Sequence, residues 1–153
     1  PGGALRDVGD HAFVGPGPEL HEGAASLDVV VDGSHVRVTL GNRKAGHSLP
    51  SGGRFFRRLT LEVDVDGVPV ERFELGDRML EGAKESVDPL TATSLEVHAL
   101  EAGASRTFDL APVGKHVEVR LVYRTYDPRI LATLGLDPGL AEPYTMASRV
   151  VDL

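Results

Sequence analysis

The sequence predicts an all-β fold, an antiparallel two-sheet sandwich of the immunoglobulin-like or fibronectin-like kind with about eight strands. Three observations lead there. Apolar and polar residues alternate with a period of two in one run after another. Turn signals such as Asp32-Gly33 and Asp66-Gly67 separate those runs. Helical periodicity is almost absent. A sheet with one apolar face must hide it, and a second sheet is the available cover. At 153 residues the chain fits one domain, long enough to bury a core without metal or disulfide help.

Residues 1–26 read as an irregular N-terminal segment packed on the body, and 27–153 as the sandwich. Pro1-Gly2-Gly3 and Gly15-Pro16-Gly17-Pro18 are breakers. Leu27, Val29 and Val31 then share one face of a strand. Asp32-Gly33-Ser34 turns the chain, and Val36, Val38 and Leu40 resume the period. Phe55 to Val65 reads as a strand with Leu59, Leu61, Val63 and Val65 inward, against Arg58, Thr60, Glu62 and Asp64. Asp66-Gly67 turns into Val68 to Leu75, where Pro69 points to an edge position. Residues 76–94 carry no clear pattern. Leu95 to Leu100 and Ser105 to Leu110 read as strands. Val117, Val119, Leu121 and Tyr123 form one face of a long strand. Pro128 to Leu134 reads as a short helix with Gly135 as its stop. Met146 to Leu153 is the last strand expected.

Composition narrows the function classes. A net charge of −7 disfavours general nucleic-acid or anionic-membrane binding. No apolar run approaches the roughly 18 residues of a membrane span, and no leader pattern is visible. The absence of cysteine removes disulfides, thiolate zinc sites, thiol nucleophiles and thioether haem attachment within this chain. No G-x-S-x-G elbow, P-loop, dinucleotide fingerprint or EF-hand loop is present. No nucleophile–base pair can be named, and the expectation is a protein that is not an enzyme.

Six histidines remain: His11, His21, His35, His47, His98 and His116. His35, His98 and His116 fall in or beside strands and read as solvent-facing residues. His47 differs. It lies in Asn42-Arg43-Lys44-Ala45-Gly46-His47-Ser48-Leu49-Pro50-Ser51-Gly52-Gly53-Arg54, between two strand runs. Gly46 permits positive φ or a close approach to the backbone, and Pro50 stiffens the exit. Arg43, Lys44, Arg54, Arg57 and Arg58 surround it with positive charge.

Asn42…Ala45-Gly46-His47-Ser48-Leu49-Pro50-Ser51-Gly52 resembles the N-x-x-AGH-x-(L/F)-P-(T/S)-G segment of multihaem c-type cytochromes, found there at the start of a C-terminal β-sandwich domain. Asp10-His11-Ala12-Phe13-Val14-Gly15 resembles the H-x-F-x-G segment that follows their last haem motifs. The order of the parts agrees. The resemblance implies a non-catalytic sandwich module in electron transfer. In it His47, and second His11, supply an axial haem ligand or a docking surface to a haem-bearing segment or chain. Those cytochromes carry C-x-x-C-H motifs and this chain has none, so the haem c would be held covalently elsewhere. A periplasmic or cell-surface setting is implied with it. Two other readings stand beside this one: a copper- or zinc-binding module built on His47, His11 and His21 with nearby carboxylates, and a metal-free cell-surface interaction domain.

Overall fold

The computed structural model describes residues 23–153. Ten strands are found among them: β1 (Ser26–Asp32), β2 (His35–Gly41), β3 (Arg58–Val65), β4 (Val68–Leu75), β5 (Arg78–Glu81), β6 (Lys84–Ser86), β7 (Ser94–Glu96), β8 (Ser105–Leu110), β9 (His116–Arg124) and β10 (Pro143–Asp152). One helix, α1 (Pro128–Leu134), and one 3-10 turn (Pro138–Ala141) precede β10. Every strand pairing is antiparallel. A sheet ordered β1-β2-β8 faces one ordered β10-β9-β3-β4, and β6-β5-β7 forms a small third sheet.

The alternation in the sequence is the alternation of the core. Leu27, Val36, Val38, Leu40 and Leu110 from one sheet meet Leu59, Leu61, Val63, Val65, Val117, Val119, Leu121 and Tyr123 from the other in one buried cluster. Phe73 on β4 and Phe108 on β8 close one flank of it, with ring centroids 4.5 Å apart. Burying each such aliphatic side chain contributes roughly 1.5–3 kcal/mol.

Turn chemistry sets the registers. Val65 pairs with Val68 across Asp66-Gly67, and both turn residues have positive φ, 49° and 78°. That is the primed turn whose twist matches its strands. In the first hairpin Asp32 pairs with His35, so the turn itself is Gly33-Ser34 and Asp32 belongs to the strand. Pro69 lies on β4, an edge strand, and the ladder slips there between Val63 and Asp64.

The differences from the expected elements have physical causes. β3 begins at Arg58 because the chain before it is a tight turn, with Phe56 and Arg57 donating N–H to the Gly53 carbonyl at 2.9 and 3.2 Å. The expected strand at 95–100 stops at Glu96; beyond it only Leu100 pairs, as an isolated bridge to Leu49. The third sheet joins the start of that strand, β7, to β5 and β6, whose three or four residues are too few to show a period. Of the N-terminal segment, residues 1–22 lie outside the described part. No helix among the described residues is long and apolar enough to cross a membrane.

α1 is placed by one buried carboxylate. Asp127 caps it, accepting from the Arg129 N–H at 2.8 Å, and Pro128 occupies the first turn. The same carboxylate meets Arg58 Nε at 3.0 Å, where both side chains are under a tenth exposed. Arg58 also donates to the carbonyls of Asp77, Arg57 and Arg54. Burial alone would raise the Asp127 carboxyl; the bonds from Arg129 and the charge of Arg58 outweigh it and hold the group below the usual carboxylate range. The unfolded chain therefore takes up this proton first, at about pH 4. The contribution is full above that pH and is lost as pH falls through the lower folded value. Asp127→Ala, which strands a buried guanidinium, should lower unfolding stability by about 3–5 kcal/mol. Urea midpoints followed from neutral pH into acid should fall more steeply for wild type than for Asp127→Asn.

Candidate functional site

The loop between β2 and β3 is closed by Asn42. Its side chain is buried, and Nδ2 donates to the His47 carbonyl at 2.7 Å and to the Leu100 carbonyl at 2.9 Å. Two acceptors facing one end of the amide fix that end as NH2. Its backbone is committed as well: Asn42 N–H donates to Ala104 at 2.9 Å, and its carbonyl accepts from Gly103 at 2.7 Å. Leu49 and Leu100 exchange both backbone bonds at 2.8 Å, and Leu49 is buried in the core. Residues 43–48 are thus a short loop pinned at both ends to the 100–104 segment. The Leu49–Pro50 peptide is cis.

His47 stands exposed on that loop. Its Nδ1 lies 3.0 Å from the Ser48 carbonyl. A carbonyl only accepts, so Nδ1 is the donor in this contact, and in the neutral ring Nε2 carries the lone pair. Among the described residues Nε2 meets no hydrogen-bond partner. Gly46 before it has φ +71°, and no atom lies within 4 Å of where a Cβ would project. The glycine is there for backbone conformation, and the space beside it is open. Ser48 Oγ turns away to Glu101 at 3.0 Å, so the hydroxyl and the imidazole are not bonded to each other.

Beyond His47 the chain runs along a basic arm. Arg54 pairs with buried Asp77 at 3.0 Å, and Arg58 with Asp127. Arg57 donates to the Ser51 carbonyl at 2.8 Å and lies against Gly52, where a Cβ would sit 2.8 Å from its guanidinium. Phe55, Phe56 and Tyr126 form an aromatic row, with centroid separations of 4.3 and 6.3 Å. A cleft of about 270 Å³ between Phe55, Met79, Pro89 and Leu95 contains no ionisable side chain.

His11 and His21 lie outside the described residues. Among the described residues no three His, Cys, Asp or Glu side chains gather as a metal site. His98 Nε2 lies 2.9 Å from Glu96, and His116 Nδ1 2.6 Å from Asp152. The hydrogen bond and charge of Asp152 raise the His116 pKa. Asn42 was legible as part of the motif, but its role was not, because its second acceptor is 58 residues away. Asp127 carried a local signal, an Asp just before a helix-starting Pro, and its pairing with Arg58 carried none.

No protein-family model and no curated protein matches the chain. Among solved structures it is similar to a penta-haem cytochrome c552 from Thermochromatium tepidum, with a TM-score of 0.71 and 18% identity over 94% of this chain and 43% of that one. The sandwich shares its fold with a part of that cytochrome. At this identity the likeness carries the fold alone, and this chain spans less than half of that cytochrome's length. A superoxide reductase from Nanoarchaeum equitans matches at a TM-score of 0.36 and 8% identity, too distant to bear on the site.

Asn42→Ala should expose the dependence of the loop on its clip. The part-buried His47 carbonyl loses the amide that holds it, while the Leu100 carbonyl keeps the Leu49 N–H, at a cost of about 1–2 kcal/mol. Hydrogen exchange at Leu49 and Leu100 should accelerate while exchange in β3 and β9, corrected for global stability, should not.

Proposed function

We propose that this domain is a non-catalytic sandwich module of a multihaem electron-transfer protein, in which His47 serves as an axial ligand to a haem held covalently elsewhere. The setting is periplasmic or at the cell surface. One observation carries the reading: an exposed imidazole whose Nδ1–H is taken by its own loop, leaving Nε2 free, on a loop pinned by a buried amide. Imidazole ligands to haem iron have this arrangement, with the second nitrogen held by an acceptor. The cytochrome-related fold and the resemblance of the loop sequence support it from two further directions. The open space at Gly46 leaves the backbone approachable by a flat ring.

The residues present fit one ligand position and no attachment, since thioether bonds need cysteines that the chain lacks. Iron porphyrin supplies one-electron redox chemistry when bound. The chain's own part is to orient one imidazole and hold its proton on Nδ1.

Haemin titrated into the 153-residue chain should give a saturable, red-shifted Soret band. His47→Ala should weaken binding by at least about tenfold. An exposed side chain can be removed within about 0.5 kcal/mol of stability, so the variant tests the ligand and not the fold. Equal Soret responses from both proteins would remove His47 as a ligand.

A further inference from the structure

At the far end of β3 from the His47 loop, three segments meet around His116. The side chain of Asp66, in the turn between β3 and β4, accepts the backbone N–H of Lys115 at 3.2 Å and that of His116 at 3.0 Å. The Asp66 N–H returns to the His116 carbonyl at 2.9 Å. Gly114 makes the room for this, since a Cβ there would stand 2.7 Å from the Asp66 carboxylate and would overlap Val65. β10 arrives from the other side. His116 and Asp152 are directly opposed in the ladder, and His116 Nδ1 lies 2.6 Å from the Asp152 carboxylate. The Leu153 N–H donates to the Lys115 carbonyl at 2.9 Å. His116 therefore holds the turn through its backbone and the end of β10 through its ring.

The charges that face this ring are Asp152 from β10, Asp66 from the turn and Lys115 beside it. Farther along the same face of β9, Glu118 stands opposite Asp64. Arg120 takes up Asp64 at 2.7 Å, and the Ser148 hydroxyl faces Glu118. With His116 protonated, Lys115 and His116 match Asp66 and Asp152. With it neutral, one negative charge is left over in a chain of net −7. Asp66 stays ionised throughout, because its two backbone N–H donors hold its carboxyl below the usual range. A neutral ring can keep its Nδ1–H, so the proton decides the ion pair rather than the contact. Both partners are exposed, and such a pair adds little to global stability. The end of a strand is a different case. Its opening free energy is close to zero, so a small term decides whether it stays closed.

We infer that this end of the sandwich carries a pH-operated clasp: protonated His116 pins the end of β10 to β9 and to the Asp66 turn, and loss of the proton lets the last residues of that strand open. The clasp makes no use of haem or of His47. The bond and charge of Asp152 raise the His116 pKa. The pair therefore stabilises fully below the unfolded value of about 6.5, and its contribution is lost as pH rises through the higher folded value. This runs opposite to Asp127, whose contribution is lost in acid. β10 is the outer strand of its sheet, so its release bares the edge of β9 beside buried Val117.

Two NMR measurements on the whole chain test the clasp. His116 should titrate above the usual histidine value of about 6.5, and Asp152→Asn should bring it down toward that value. Amide exchange at Val151 and Leu153, corrected for the intrinsic effect of pH, should lose protection by about two- to fivefold across that titration in wild type. His116→Gln and Asp152→Asn should show the lower protection at every pH, and amides in β3 should not respond. Added salt should shrink the step, because the pair is exposed. Protection at Val151 and Leu153 that stays level across the titration, or a step that persists in His116→Gln, would overturn the inference. So would a His116 titration that Asp152→Asn leaves in place.

Discussion

A buried primary amide holds the functional end of this molecule together. Asn42 sits at the end of β2, where the sheet stops supplying partners, and makes four hydrogen bonds from one residue: two through its backbone and two through Nδ2. Each such bond contributes on the order of 1 kcal/mol net, and the His47 carbonyl has this amide as its partner while the Leu100 carbonyl shares it with the Leu49 N–H. No apolar residue of similar size could take the position, and an Asp would offer acceptors to acceptors. The orientation of His47 follows from this clip, because the carbonyl that Asn42 grips is that of His47 itself.

The sandwich supplies the rigid base for that clip. Leu49 is anchored in the core and pairs with Leu100 on both sides, so the far end of the loop cannot drift from the near one. On the other side of the basic arm, Asp77 and Asp127 take up Arg54 and Arg58. Asp127 joins three events: it starts α1, neutralises Arg58 and receives Arg129. Through its backbone N–H, 2.6 Å from the Phe56 carbonyl, it also ties the aromatic turn to the helix. The arm that carries Arg57 is therefore braced by ion pairs at Arg54 and Arg58.

Much of the fold was legible because a period of two has one physical meaning. Leu59, Leu61, Val63 and Val65 had to face a core, and so did Val117 to Tyr123. Asp66-Gly67 had to be a primed turn, and Pro128 with Gly135 had to bound a helix. The opposite face of β3 was misleading. Arg58 and Asp64 read as solvent-facing and are buried, because a charge can be covered once it is met, as Asp127 meets Arg58 and Arg120 meets Asp64; Thr60 is buried too, with no partner for its hydroxyl among the described residues. The site was legible in part: Gly46 and His47 marked the loop, while Asn42–Leu100 and Arg58–Asp127 join residues distant in sequence, and no local pattern encodes such pairs. His11 and His21 lie beyond the described residues.

The central claim is that the loop holds the His47 proton on Nδ1 and offers Nε2 outward. Nitrogen-15 chemical shifts of the histidine rings, read through two-bond couplings at alkaline pH, test it most directly. The account predicts for His47 a protonated Nδ1 and a pyridine-like Nε2, with that preference weakened in Asn42→Ala. A ring protonated on Nε2, the form favoured by free histidine in water, would contradict it.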